Sequence, residues 1–235
     1  LYVAYNAVHS PLQGADKYMK TFSGIDNIHR RIFAAMLSNL DDSVGEILKA
    51  VEDNGLEEDT IIVFLSDNGG PTRELTSSNL PLKGEKGMMY EGGIRVPFLM
   101  QWKGQIPPHT TYSHPVISTD LMATFTTAAG APLPKTKLDS VDLIPYISQQ
   151  DETAPHEFLF WRVGQKRAIR VGDWKALLEP GRFGSTDWQL YNLQEDLEEK
   201  NDLAKTKPSV LESLQQQWTS VNAEMIDPIF DPRKK

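Results

Sequence analysis

The residues Thr60-Ile61-Ile62-Val63-Phe64-Leu65 form an unbroken β-favouring, largely apolar run, and that run constrains the fold more than any other feature of the chain. A strand with one face in water alternates apolar and polar side chains, so an unbroken run predicts a central strand covered by helices on both faces. The preceding residues offer one such cover. Ile28, Ile32, Met36, Leu40, Val44, Ile47, Leu48 and Val51 recur at three- and four-residue steps, which puts them in one stripe of a long amphipathic helix. Gly55 ends the helix, and Glu57-Glu58-Asp59 turns the chain into the strand. Leu1-Tyr2-Val3-Ala4-Tyr5 is aromatic and β-branched and reads as a strand from its first residue. Strand, helix, strand is the crossover of an α/β domain, whose ligands gather at the carboxyl ends of its strands. Ser66-Asp67-Asn68-Gly69-Gly70 lies at one such end, and His9 just beyond the other.

Downstream, a strand is predicted near Arg95 to Trp102, then a helix with Ser118 or Thr119 as its N-cap and Gly130 at its end. The polar stretch Gln149 to Pro155 divides the chain into an expected α/β part, residues 1–150, and a small C-terminal part, residues 151–235. In the second part Phe158 to Trp161, Ala168 to Val171, Trp174 to Leu178 and Gln189 to Leu193 read as short strands. Gly172-Asp173 turns a hairpin between the second and third. Val210, Leu211, Leu214, Trp218 and Val221 mark a terminal amphipathic helix.

A net charge of -8 speaks against a nucleic-acid binder, which carries a basic face. It also requires that an anionic ligand be held by a local cationic pocket, since the field of the whole molecule repels it. The chain has no cysteine, hence no disulfide framework, and its apolar runs are too short for a membrane-spanning helix. A chain that opens inside a strand, with no signal peptide ahead of it, is expected to lack part of its protein.

Three loops carry chemistry. Asp67 and Asn68 set a carboxylate beside an amide carbonyl, the oxygen ligands that hard cations favour, although Asp-Asn-Gly is also ordinary turn chemistry. Lys83-Gly84-Glu85-Lys86-Gly87 places two ammonium groups among glycines that admit a ligand close to the backbone, or else forms a solvated loop. His9, before Ser10-Pro11, is a proton donor or a plain loop histidine.

Taken in order, these loops resemble a known family. Asn6-Ala7-Val8-His9-Ser10-Pro11-Leu12-Gln13, Ser66 to Gly70, and Lys83-Gly84-Glu85-Lys86-Gly87-Met88-Met89-Tyr90-Glu91-Gly92-Gly93-Ile94-Arg95-Val96-Pro97 are similar to sulfatase motifs, nearest the arylsulfatase B or N-acetylgalactosamine-sulfatase type. The likeness continues through Ser118 to Leu121, Ala168 to Lys175 and Trp188 to Leu193. It implies part of an alkaline-phosphatase-like α/β fold, a mixed sheet flanked by helices, with a small C-terminal antiparallel-sheet-plus-helix subdomain. It implies Asp67 and Asn68 as calcium ligands, Lys86 as the sulfate-gripping lysine, and His9 as proton donor to the leaving group. Lys83 stands beside the site as a further candidate contact, and Glu91 and Arg95 read as buried supports of the loop in preference to substrate contacts. The family's formylglycine, made from the cysteine or serine of a C-x-P-S-R or S-x-P-S-R motif, has no counterpart here and is expected in a segment ahead of Leu1, with the remaining calcium ligands. The implied substrate is a sulfated carbohydrate or an aryl sulfate, and the implied location periplasmic, secreted or lysosomal. A non-catalytic module holding an anion or sugar, and a phosphoesterase of the same superfamily, are the competing readings.

One more feature reverses the overall charge. Arg162, Lys166, Arg167, Arg170, Lys175 and Arg182 face only Asp173 and Glu179 within their segment. The segment is either a rim that guides a sulfated sugar or a hairpin whose alternate residues meet water.

Overall fold

The computed structural model describes residues 1–73, 75–151, 153–181 and 184–226. Its elements are α1 (Asp16–Thr21), α2 (Ile28–Asp53), β1 (Ile62–Leu65), α3 (Glu91–Ile94), β2 (Phe98–Gln101), α4 (Asp120–Ala128) and α5 (Ile144–Ile147). The C-terminal part holds β3 (Leu159–Val163), β4 (Lys166–Val171), β5 (Trp174–Leu178), β6 (Gln189–Asn192) and α6 (Pro208–Ala223). Among the described residues no helix is long and apolar enough to cross a membrane.

The predicted long helix is α2. Asn27 caps it, its side chain accepting from Arg30 N at 2.9 Å. Gly55, at φ +63°, lets Leu56 N reach back to Val51 O and close the last turn. The apolar stripe is only partly covered by the described residues. Ala35 is buried, whereas Ile28 and Leu48 are exposed.

Two expectations about the first sheet need correction. Among the described residues β1 pairs with β2 alone and antiparallel, from Ile62 opposite Gln101 to Leu65 opposite Phe98. Leu1–Tyr5 joins no ladder, and Leu1 and Tyr2 are exposed. A strand exists through its neighbours, and the described residues give Leu1–Tyr5 none. For the same reason β1 is not covered on both faces: Phe64 is 37% exposed, and Leu99 on β2 is 61% exposed.

α4 begins and ends where predicted, but neither Ser118 nor Thr119 caps it with a hydroxyl. Buried Asp120 accepts from Ile117 N at 2.9 Å and Val141 N at 3.1 Å, and pairs with His156 Nε2 at 2.9 Å. A carboxylate at the start of a helix complements the helix dipole as well as these N–H groups.

The four predicted C-terminal strands form one antiparallel meander in the order β3-β4-β5-β6. Gly172, at φ +56°, occupies the two-residue turn between β4 and β5. Strand alternation gives this sheet two apolar faces. Ile169, Ala176 and Leu190 pack on Leu214 and Trp218 of α6. Ala168, Leu177 and Tyr191 pack on Met89 and Tyr90, which belong to the glycine- and lysine-rich loop. The small sheet is therefore the floor beneath that loop.

Candidate active site

The loop after β1 is fixed by close backbone contact with the loop leading to β2. Gly69 N donates to Gly93 O at 3.0 Å. A Cβ on Gly69 would stand 1.7 Å from Gly92 O, so only glycine permits the contact. Asn79 fastens the same loops through its amide. It accepts from Gly70 N at 2.9 Å and donates to Gly70 O at 2.8 Å and Gly84 O at 3.2 Å. Glu85 reaches back to Thr72 Oγ1 at 2.8 Å and Arg73 N at 2.9 Å. Residues 66–73, 79 and 83–93 thus form one interlocked body.

On that body Lys86 meets His9. Lys86 Nζ lies 3.1 Å from His9 Nε2, and His9 Nδ1 lies 2.7 Å from Ser10 O. A carbonyl oxygen only accepts, so the proton of the neutral ring belongs on Nδ1, and Nε2 accepts from the ammonium. Two residues 77 positions apart in sequence form one polar pair, both exposed to an incoming ligand.

Asp67 and Asn68 lie on the 66–70 loop, whose Gly70 O accepts from Lys86 N at 3.4 Å. Asp67 Oδ1 accepts from Asn68 N at 2.9 Å, and Asn68 Nδ2 donates to Gly69 O at 3.2 Å. Asp67 Oδ2 and the amide oxygen of Asn68 take no part in these two bonds and are oxygens of the kind that a hard cation binds. In kind the donors fit calcium; in number they fall short of roughly six to eight oxygens. Among the described residues no group of three or more His, Cys, Asp or Glu side chains could hold a metal.

Lys83 does not join the site, contrary to its candidacy as a ligand contact. Its ammonium points into the small subdomain, donating to Tyr191 Oη at 3.2 Å and Glu199 O at 3.0 Å. It lies 4.2 Å from the centroid of the Tyr90 ring. Burial lowers its pKa from the usual lysine value, with Glu199 opposing the shift. Glu91 is the buried support expected of it, 2.8 Å from Lys175 Nζ. Arg95 is not buried: it pairs with Glu91 at 3.7 Å, its side chain 52% exposed.

The basic segment is mostly committed to structure. Arg162 donates to Asn222 Oδ1 and Ile226 O, each at 2.6 Å. Arg167 lies 4.8 Å from the Trp218 ring centroid. Lys166 pairs with Glu179 at 2.6 Å and donates to Gly87 O. Lys175 is fully buried between Glu91 and Glu199. Arg170 donates to Gly172 O at 2.9 Å, and desolvation lowers its pKa. Arg182 lies outside the described residues. The reversal of charge arises because several of these cations answer buried carboxylates or α6. Glu179, Glu199 and Asn79, which hold the Lys86 loop, were not legible in sequence.

The fold and these loops place the chain in the alkaline-phosphatase-like α/β class, and comparison with known proteins narrows that class. The Sulfatase family profile matches residues 1–131, and the profile described as N-sulphoglucosamine sulphohydrolase, C-terminal, matches residues 84–224. Arylsulfatase J of Mus musculus is 30% identical over 99% of this chain and 46% of its own length. Arylsulfatase A of Homo sapiens is 31% identical over 92% of this chain and 47% of its own. The crystal structure of Ps i-CgsB in complex with k-i-k-neocarrahexaose superposes with a TM-score of 0.84 at 35% identity, covering 94% of this chain and 49% of that one. The chain belongs to the sulfatase family. It spans about half the length of these relatives.

Proposed function

We propose that the protein containing this chain is a sulfuric ester hydrolase acting on a sulfated carbohydrate, and that this chain supplies one side of its active site. The observation that carries the reading is the Lys86–His9 contact of 3.1 Å on a loop body locked by Gly69 and Asn79. The sulfated-sugar substrate rests on likeness to Ps i-CgsB, whose structure holds k-i-k-neocarrahexaose.

Cleavage of a sulfate ester breaks the bond between sulfur and the ester oxygen, and negative charge develops on the sulfuryl oxygens and on the departing oxygen. The Lys86 ammonium opposes the first, and a fixed charge aimed at such an oxygen contributes a few kcal/mol. His9 answers the second. In the free site Nε2 accepts from Lys86; once a sulfate oxygen takes that ammonium hydrogen bond, Nε2 takes up a proton from water and, as the imidazolium, passes it to the leaving oxygen. The Nδ1 contact with Ser10 O keeps the ring in the orientation this transfer needs. Asp67 Oδ2 and the Asn68 amide oxygen would hold calcium together with carboxylates from upstream of Leu1. When present, calcium would neutralise sulfuryl oxygens, and a formylglycine from the same upstream segment would supply the attacking oxygen.

The test is turnover by the full-length protein of matched aryl sulfate and aryl phosphate esters, with and without a calcium chelator. Preference for sulfate, lost on chelation and restored by calcium, is expected. Preference for phosphate would overturn the reading in favour of a phosphoesterase, and no turnover of either would favour a binding module.

A further inference from the structure

Glu199 follows β6 in a left-handed backbone conformation, φ +52°, which residues other than glycine avoid. Its surroundings impose that shape: Glu199 N donates to Asp196 O, and the Asp196 carboxylate accepts from Lys200 N and Asn201 N. An outlier held in place this way is reason to ask what it achieves. Here it turns the side chain and the carbonyl of one residue toward one loop. Glu199 Oε2 accepts from Glu91 N at 2.7 Å, and Glu199 O accepts from Lys83 Nζ at 3.0 Å. Lys83 and Glu91 are the two ends of the segment that carries Lys86.

The remaining contacts have the same aim. Lys175 Nζ lies 2.9 Å from Glu199 Oε1, off the hydrogen-bond direction, and 2.8 Å from Glu91 Oε1. Midway along the segment, Lys166 donates to Gly87 O and Glu179 accepts from Met89 N at 2.7 Å. Met89 and Tyr90 already anchor the loop to the sheet by apolar packing. Such packing is non-directional, and a buried ionic array adds little stability that well-packed apolar side chains would not. What directional bonds at both ends add is a fixed register.

We propose that Glu199 is a positioning residue for Lys86, the point through which the C-terminal subdomain sets how the Lys86 ammonium meets His9 and a bound sulfate. The proposal rests on the reading of Lys86 as the sulfate-binding cation, and its test separates the two.

In the full-length enzyme, turnover of a small aryl sulfate is compared for wild type, Lys86→Ala, Glu199→Gln and the double variant. Gln keeps the size and the acceptor for Glu91 N–H but turns an N–H donor toward Lys175. Displacements near 1 Å lower rates by about 10²-fold. Glu199→Gln is therefore expected to lower kcat roughly 10- to 100-fold, with KM within about threefold. In the Lys86→Ala background the same change should lower kcat by less than about threefold, because the group it positions is gone. Equal factors in both backgrounds, or no effect in either, would overturn the positioning role. An unchanged kcat for Lys86→Ala alone would instead remove the underlying reading. Should Glu199→Gln fail to fold, Lys83→Met removes the ammonium bonded to Glu199 O, and its cycle with Lys86→Ala carries the same expectation and the same refutation.

Discussion

A single methyl group at Gly69 tests whether the two site loops must touch through bare backbone. The Cβ of Gly69→Ala would fall 1.7 Å from Gly92 O and 2.8 Å from Gly92 C. Ordinary contact begins near 3.4 Å, so the loops must separate by roughly 1.7 Å, and neither backbone can swing aside as a side chain would. Separation also breaks the Gly69 N to Gly93 O hydrogen bond. Overpacking of this kind costs about 1–3 kcal/mol and the lost bond about 1 kcal/mol, giving an expected destabilisation of about 2–4 kcal/mol. Gly87→Ala is the matched control. Its φ is +82° with nothing within 4 Å of the added Cβ, so only the backbone penalty of about 1–2 kcal/mol applies. Urea unfolding and aryl sulfate turnover of the full-length protein read both effects. Gly69→Ala should unfold earlier than Gly87→Ala and lose about 10² in kcat, since Asp67 and Asn68 move relative to Lys86. A Gly69→Ala protein with wild-type stability and rate would refute the interlock.

Three further outcomes follow from individual contacts. His9→Ala should depress turnover of sugar sulfates, whose alkoxide must be protonated, far more than that of an activated aryl sulfate; equal losses would remove His9 from the proton-donor role. Arg167→Ala should lower stability by about 0.5–2 kcal/mol through loss of its stacking on Trp218, while KM for a sulfated oligosaccharide stays constant at low salt. A raised KM would restore the substrate-rim reading for that residue. Burial pushes the Tyr90 hydroxyl up to about 12, so the unfolded chain releases its proton first as pH rises past its ordinary value of 10.0. Stability should fall between these values in a denaturant titration, and Tyr90→Phe should flatten the fall; an unchanged slope would contradict it.

The sequence made elements legible where periodicity and local signals agreed. α2 appeared from its stripe and from Gly55, and the C-terminal meander from short β-rich runs around Gly172-Asp173. His9 and Lys86 were marked by motif order, and the structure brings them to hydrogen-bond distance. Sheet formation at Leu1–Tyr5 was misread because an apolar run shows only that a segment suits a strand. Ladder formation depends on partners that the described residues do not contain. Lys83 was misplaced for a related reason. Two lysines three positions apart in a glycine loop look equivalent until the loop's path sends one to His9 and the other to Tyr191 and Glu199. Glu199 and Asn79 gave no signal, since one lies in an acidic stretch and the other before Leu-Pro, where both read as solvent-facing loop residues.

The most direct measurement of the central claim is release of inorganic sulfate from a sulfated oligosaccharide by the full-length protein, wild type against Lys86→Ala, with folding of both checked by unfolding curves. The account predicts sulfate release by the wild type and a fall in kcat of about 10²–10³-fold in the variant, the scale of removing one charge-stabilising donor. Undiminished sulfate release by a folded Lys86→Ala protein would contradict it.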